Sequence, residues 1–309
     1  MIIILMKVNR MAAAALAVCV LATGCSSTST GSGTGRLNVV VAFYPLQYVT
    51  EQVGGDQVSV TNLTKPGVEP HDLELTAKQV ASVAFADLVF YEKGFQAAVD
   101  SAVATEKPKQ VLDAASIVPL RTTPGFVGEG AAPSTSALDP HTWLDPQTME
   151  KYATAVADEL SHARPASSAT FHQRADALVQ QLTTLDHEFS TGLASCQRTV
   201  FVTSHAAFGY LAERYGLEQV GIAGLTPDSE PTPAHIAEVQ KIAQEKGVTT
   251  IFSETLASPA LADALAKDLG LKTDVLDPLE GITSSSRGTD YPSVMRSNLS
   301  ALKAAGGCQ

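Results

Sequence analysis

Continuous apolar runs and helical periodicities alternate along this chain. "RLNVVVAFY", Arg36 to Tyr44, is a β-branched run that reads as a buried strand. "FYPLQYVTEQVGG" then predicts a short helix ending at Gly54-Gly55, and "DQVSVTNLT" a second strand. "ELTAKQVASVAFA" has an amphipathic helical pattern and "DLVFYE" reads as a third strand. "GFQAAVDSAVAT" is a helix, and "KQVLDAA" a short fourth strand. Strand and helix in regular alternation imply a parallel sheet covered by helices.

Pro119 to Leu138 breaks this rhythm as a Gly/Pro/Ser/Ala-rich loop, and "LDPHTWLDPQ" follows with its turn residues. A helix is expected over Gln147 to Ala163, stopped by Pro165. From Ser167 to about Gly192, Phe171, Leu178, Leu182, Leu185 and Phe189 share one broad helical face. This long breaker-poor helix midway along the chain has the form of a strut. The alternation then restarts with "RTVFVTS", "LEQVGIAG", "VTTIFSE" and "LKTDVLDP" as strands, and "YPSVMRSNLSALKAAG" closes it as a helix. The expected class is α/β: two similar βα lobes with mostly parallel sheets, joined by one long rigid helix. The boundaries are 37–164, 165–194 and 195–309. The halves share a plan and no sequence repeat.

The ends carry other information. Lys7 and Arg10 precede the apolar "MAAAALAVCVLAT", which is too short to span a bilayer comfortably, and "LATGC" follows. Residues 1–25 resemble a lipoprotein signal peptide with Cys25 as the lipidated residue; Ala22 stands where such signals prefer leucine, and an ordinary secretory peptide is the alternative. "SSTSTGSGTG" lies within a flexible linker, 26–36, suited to tethering a domain at a membrane. With Cys19 in the leader, Cys196 and Cys308 remain. In an exported protein they most simply form one disulfide, two free thiols being the alternative. A net charge of −11 offers no basic surface for a phosphate backbone, so no nucleic-acid partner is expected. A cationic ligand suits it better.

His162, His172, His187 and His235 fall in helical stretches and read as solvated positions. His71, in "GVEPHDLE", and His141, in "DPHTWLDP", instead lie in turns, and His205 ends the strand "TVFVTS". Asp277 ends "TDVL" in the same way, before Pro278. An α/β sheet presents ligands from this edge. The four positions are 70, 64 and 72 residues apart, two in each half, so facing lobes would aim them into one interlobe cleft. Three imidazoles and one carboxylate suit tetrahedral Zn²⁺, and suit the oxygen-seeking Ca²⁺ or Mg²⁺ poorly. Four protein ligands also fill the shell, which favours holding the metal over catalysis. HExxH, CxxC, GxSxG and GxxxxGK motifs are absent from the chain. Glu69 could replace a ligand or orient His71; Glu254, at the tip of "IFSE", could accept an imidazole N–H. A solvated carboxylate is the alternative at both.

At these residues the chain resembles the zinc- and manganese-binding solute-binding lipoproteins of bacterial ABC importers, the cluster A-I group. The resemblance runs through "VVVAFYPLQYVTEQVGGDQVSVTNLTKPGVEPHDLE", "DPHTWLDP", "VFVTSHAAFGYLAERYGL", "IFSETLAS" and "VLDPLEG", from about Asn38 to the end. It implies two lobes joined by a long helix, with a metal at their interface held by His71, His141, His205 and Asp277. Members resembling manganese binders tend to carry glutamate where this chain has His205, so zinc is implied. Many zinc members carry a His-rich loop before the second ligand; "TTPGFVGEGAAPSTSALDPH" has almost no such side chains. The function so implied is a monomeric, exported receptor, lipid-anchored at the cell membrane or periplasmic. It would deliver Zn²⁺ to a membrane permease driven by a cytoplasmic ATPase and would not be an enzyme. The alternatives are a manganese or iron(II) receptor of the same fold, a secreted zinc-dependent hydrolase, or a surface adhesin.

Overall fold

The computed structural model describes residues 35–123 and 137–309. The expected leader with Cys25, most of the linker, and the centre of the Pro119–Leu138 loop lie outside the described residues.

The first sheet holds β1 (Leu37–Val41), β2 (Val58–Asn62), β3 (Leu88–Tyr91) and β4 (Val111–Asp113), all parallel, in the order β2-β1-β3-β4. Its helices are α1 (Tyr44–Gly54), α2 (Ala77–Ala84), α3 (Ala97–Glu106) and the short α4 (Ala114–Ile117). Pro45 starts α1, where its missing N–H costs nothing. A capping box between Thr76 and Gln79 starts α2. Where a loop was expected, β5 (Arg121–Thr123) and β6 (Ala137–Asp139) pair as a two-stranded antiparallel ribbon. Three-residue strands are too short to leave a period-two pattern in sequence.

Two helices follow: α5 (Pro146–Ala163), opened by the Asp145 side chain, and the 26-residue α6 (Ser168–Leu193). At 1.5 Å per residue α6 is about 39 Å long. Phe171, Leu178, Leu182, Leu185 and Phe189 are all buried along it, as its periodicity implies.

In the second half β7 (Val200–Thr203) precedes α7 (Gly209–Tyr215), and β8 (Glu218–Gly221) precedes α8 (Pro233–Glu245). Then β9 (Thr250–Ser253), α9 (Ala260–Leu269), β10 (Lys272–Val275) and α10 (Tyr291–Gly306) complete it. The sheet order is β10-β9-β7-β8. Taken in chain order within each half, both sheets run second-first-third-fourth. Each therefore reverses direction between its first and third strands, which opens a crevice at the carboxyl ends.

The two sheets share one interior, which the second sheet meets on one of its faces. One buried cluster runs from Val39, Phe43 and Phe90 through Trp143 and Phe189 to Leu276, Leu279 and Tyr291. A smaller cluster, including Val202, Val239 and Ile251, backs the second sheet. Arginines pin α6 at both ends. Arg174 donates to the Gly54 carbonyl at 2.6 Å and to Asp56 at 2.7 Å, while Arg214 reaches Asp186 and Arg296 reaches Glu188, each at 2.7 Å. Cys196, after α6, forms a disulfide with Cys308, after α10. Among the described residues no helix is long and apolar enough to cross a membrane.

Candidate metal centre

Each corner of the site comes from a different loop at the carboxyl edge of a strand. His71 lies in the turn between β2 and α2. Gln96 fixes that turn by donating to the Pro70 carbonyl and to Thr64 Oγ1, both at 3.0 Å. His141 follows the ribbon: its backbone N–H and its Nδ1 both meet Asp139 Oδ1, at 3.0 and 2.9 Å. His205 follows β7: its backbone N–H donates to Glu254 Oε1 at 2.9 Å, and its Nδ1 lies 2.6 Å from Glu254 Oε2. The expectation for Glu254 was an accepted imidazole N–H, and its carboxylate stands in that position.

The structure brings His71, His141 and His205 together, and their fourth companion is Glu280. The candidate ligand atoms of these four residues all lie within 4.8 Å of one another. Glu280 Oε1 is 3.2 Å from His71 Nε2 and 3.4 Å from both His141 Nε2 and His205 Nε2. The last two nitrogens are 3.2 Å apart. A tetrahedron with metal–nitrogen bonds of 2.0–2.1 Å has edges of about 3.3–3.4 Å.

Asp277 is not in this group, which corrects the expected fourth corner. Its Oδ1 accepts the Leu279 N–H at 2.8 Å, and its backbone is clasped on both sides by the Asn298 amide, at 2.9 and 2.7 Å. The carboxylate thus builds a turn. Pro278 and a left-handed Leu279 (φ 59°) then reverse the chain and aim Glu280 inward. A β-carbon in that conformation costs about 1–2 kcal/mol, so the surroundings must hold it. Trp143 does so, donating Nε1–H to the Pro278 carbonyl at 2.8 Å. In sequence Glu280 is only an acid between Leu279 and Gly281, three residues after Asp277; its burial, which demands a partner, is visible only in the fold.

Tautomers follow from these contacts. A carboxylate only accepts, so His141 and His205 each carry the proton on Nδ1 and turn an Nε2 lone pair to the centre. When the rings are neutral, two imidazole lone pairs and the Glu280 oxygen converge there, and a proton or a metal ion must lie between them. Glu280 Oε2 has no hydrogen-bond partner among the described residues. Such a focus of buried acceptors calls for a cation. His141 and His205 are fully buried, as is Glu280, and His71 alone is partly open.

Without metal, ring protons take the place of the cation. Burial would keep Glu280 protonated, but hydrogen bonds from His141, His205 and His71 outweigh it and hold the carboxyl well below its usual range. Burial opposes charge on His205 too, yet Glu254 and Glu280 raise it well above the ordinary imidazole value. His141 is raised likewise, against burial, by Asp139 and Glu280. His71 is lowered, mainly by burial. Glu69 accepts the His71 backbone N–H at 3.0 Å; burial, reinforced by Glu280, pushes its carboxyl up to about 8. It orients the His71 backbone and stands outside the four-residue group. An apolar wall closes the site: the Phe95 ring packs edge-on against His71 at 4.7 Å, and Trp143 lies 5.2 Å from His141. His162, His172, His187 and His235 are not in the cluster.

Two parallel-sheet lobes that close on a buried, nitrogen-rich acceptor set define a metal-binding solute-binding protein. The chain belongs to the ZnuA family: the family model for zinc-uptake complex component A, periplasmic, matches residues 39–305. Its relatives include zinc-binding lipoprotein AdcA of Streptococcus pneumoniae (strain R6), 39% identical over 278 residues, which are 87% of this chain and 56% of AdcA. The high-affinity zinc uptake system protein ZnuA of Bacillus subtilis (strain 168) is 35% identical, with 87% of each chain covered. This chain therefore spans little more than half the length of the AdcA relatives. Among solved structures, the Zn(II)-bound ZnuA-like domain of Streptococcus pneumoniae AdcA superposes with a TM-score of 0.73 at 40% identity, covering 88% of this chain and 99% of that one. The laminin-binding protein Lmb of Streptococcus agalactiae, described as a bifunctional protein with adhesin and metal transporting activity, gives 0.78 at 32% identity, covering 87% and 99%.

Proposed function

We propose that this chain is an extracytoplasmic receptor that binds one Zn²⁺ through His71, His141, His205 and Glu280 and hands it to an ABC-type importer. The observation that carries this reading is that Glu280 Oε1 lies 3.2–3.4 Å from three imidazole nitrogens, two of them 3.2 Å apart, with all four ligand atoms within 4.8 Å of one another. Three nitrogen donors favour zinc over manganese, which prefers oxygen. The printed names of AdcA and ZnuA support the same ion. The ion is cargo, and the four donors leave no position for a substrate water, so the site holds metal and does not hydrolyse.

The partners are a membrane permease and a cytoplasmic ATPase. The chain works as a monomer, held at the membrane by a lipid on Cys25. Its extracytoplasmic location is supported by the lipoprotein-like leader and by the lipoprotein relatives. Adhesion, which one streptococcal neighbour combines with metal transport, draws no support from the buried site.

The test is titration of chelator-stripped protein with zinc, manganese and iron(II) in competition. One tightly bound zinc per chain, with manganese and iron weaker, is expected. Equal or preferred manganese, or zinc affinity indifferent to His205→Ala, would refute the proposal.

A further inference from the structure

The ribbon that orients His141 belongs to the first half of the chain, yet its end is held from the second. In the β5–β6 register Arg121 stands opposite Asp139. The Tyr210 hydroxyl sits between them: it accepts the Arg121 N–H at 2.7 Å and donates to the Asp139 carbonyl at 2.8 Å. One rung of the ribbon is therefore supplied by a side chain of α7. Two further contacts from the same helical turn fasten it. Arg121 Nε pairs with Glu213 at 2.9 Å, and its guanidinium lies 5.4 Å from the Tyr210 ring centre. Gly209 lets the helix approach: a β-carbon there would meet Arg121 Nη1 at 2.7 Å and Asp139 Oδ2 at 2.8 Å.

Asp139, thus held, is the residue that binds both the backbone and the ring of His141. Tyr210 lies five residues beyond His205, just after β7. The hydroxyl consequently links the two imidazoles whose Nε2 atoms face each other across the halves. We propose that Tyr210 is a positioning residue for the metal, acting through Asp139 to hold His141 in register with His205 and to slow release of the ion. This rests on the zinc-binding reading above. The pair must separate if the halves part, so the latch belongs to the release step as well as to capture.

The test compares Tyr210→Phe with Tyr215→Phe, whose hydroxyl reaches Asp186 on α6 and does not touch the ribbon. Zinc affinity is measured by chelator competition and release by stopped-flow transfer to a chelator. Geometry is read from the visible spectrum of Co²⁺-substituted protein, and unfolding is followed in the metal-free form. Tyr210→Phe should weaken zinc roughly 10-fold, the lower end for outer partners of metal ligands, mostly through faster release. It should also shift the Co²⁺ bands. Tyr215→Phe should leave affinity and bands as they were. In an Asp139→Asn background, Tyr210→Phe should have less than about a 2-fold further effect, because residues acting through one another are not additive. Unchanged affinity and release in Tyr210→Phe, or a full 10-fold loss repeated on top of Asp139→Asn, would overturn the inference. So would a fall in metal-free stability without any change in affinity or spectrum. Failure of the unsubstituted protein to bind zinc would instead overturn the functional reading, and this inference with it.

Discussion

Glu280 and Asp277 show how closely two carboxylates three residues apart can differ in role. Asp277 lies two residues past β10 and satisfies backbone; Glu280 follows a left-handed turn and faces three imidazoles. Removing a ligand from a closed shell sacrifices a substantial share of the total binding energy. Glu280→Ala is expected to weaken zinc on the order of 100-fold or more by chelator competition, whereas Asp277→Asn should stay within a few-fold. Asp277→Asn should cost about 1 kcal/mol of stability in denaturant unfolding, through the turn it caps. The three histidines were legible because turns and strand ends are where such folds place ligands. Glu280 was not, because the left-handed Leu279 that re-aims the chain leaves no mark in a β-branched or helical period. Proton competition follows from the same residues. In the metal-free site Glu254 and Glu280, against the effect of burial, raise His205 above its ordinary value, so a ring proton competes with zinc for Nε2. Zinc must displace that proton, so affinity should fall as pH drops from 8 to 6, by up to roughly tenfold per unit per proton displaced. A flat profile across that range would contradict this tautomer and charge assignment.

At the scale of elements, all eight strands of the two sheets were readable: the central β1, β3, β7 and β9 are near-continuous apolar runs, and the edge strands follow from the alternation with helices. The closing helix, Tyr291–Gly306, falls where its Pro292 and terminal glycines place it. The ribbon was not readable. Its importance comes from pairing and from Tyr210 on a distant helix, which no local period encodes. The loop that carries Glu280 depends similarly on a residue far away. Trp143, within a short 3₁₀ turn after His141, donates to Pro278, while its own carbonyl accepts from Tyr291 at 2.6 Å. Trp143→Phe would keep most of the apolar volume but orphan the Pro278 carbonyl. The expected result is a loss of about 1–3 kcal/mol in unfolding experiments, together with weaker zinc binding. A stability loss with no change in zinc affinity would show that the loop holds Glu280 without this bond.

For the whole molecule, the continuous interior limits what the lobes can do. Residues of both halves share one buried cluster, and α6 is tied by arginine contacts near both ends. A wide hinge would expose apolar surface at about 25 cal/mol per Å², so opening by tens of degrees is costly. Small-angle scattering should give a radius of gyration of about 19 Å for the folded part, changing by less than roughly 1 Å when zinc is removed. An increase of several ångströms would mean that the shared core parts. His71 is the one partly open corner, so the ion's exit is expected past its turn and not through a parting of the lobes. Two facing lobes with a strut were visible in the doubled βα pattern; that they share an interior was not, because which apolar face meets which is settled only by packing. Zinc binding in this fold depends on the identity of the four corners. Anomalous diffraction from zinc-loaded crystals, recorded on both sides of the zinc absorption edge, tests it directly. A single strong peak is expected at roughly 2.0–2.1 Å from Nε2 of His71, His141 and His205, with Glu280 Oε1 as fourth neighbour. A peak coordinated by Asp277, or no peak among these three histidines, would contradict it.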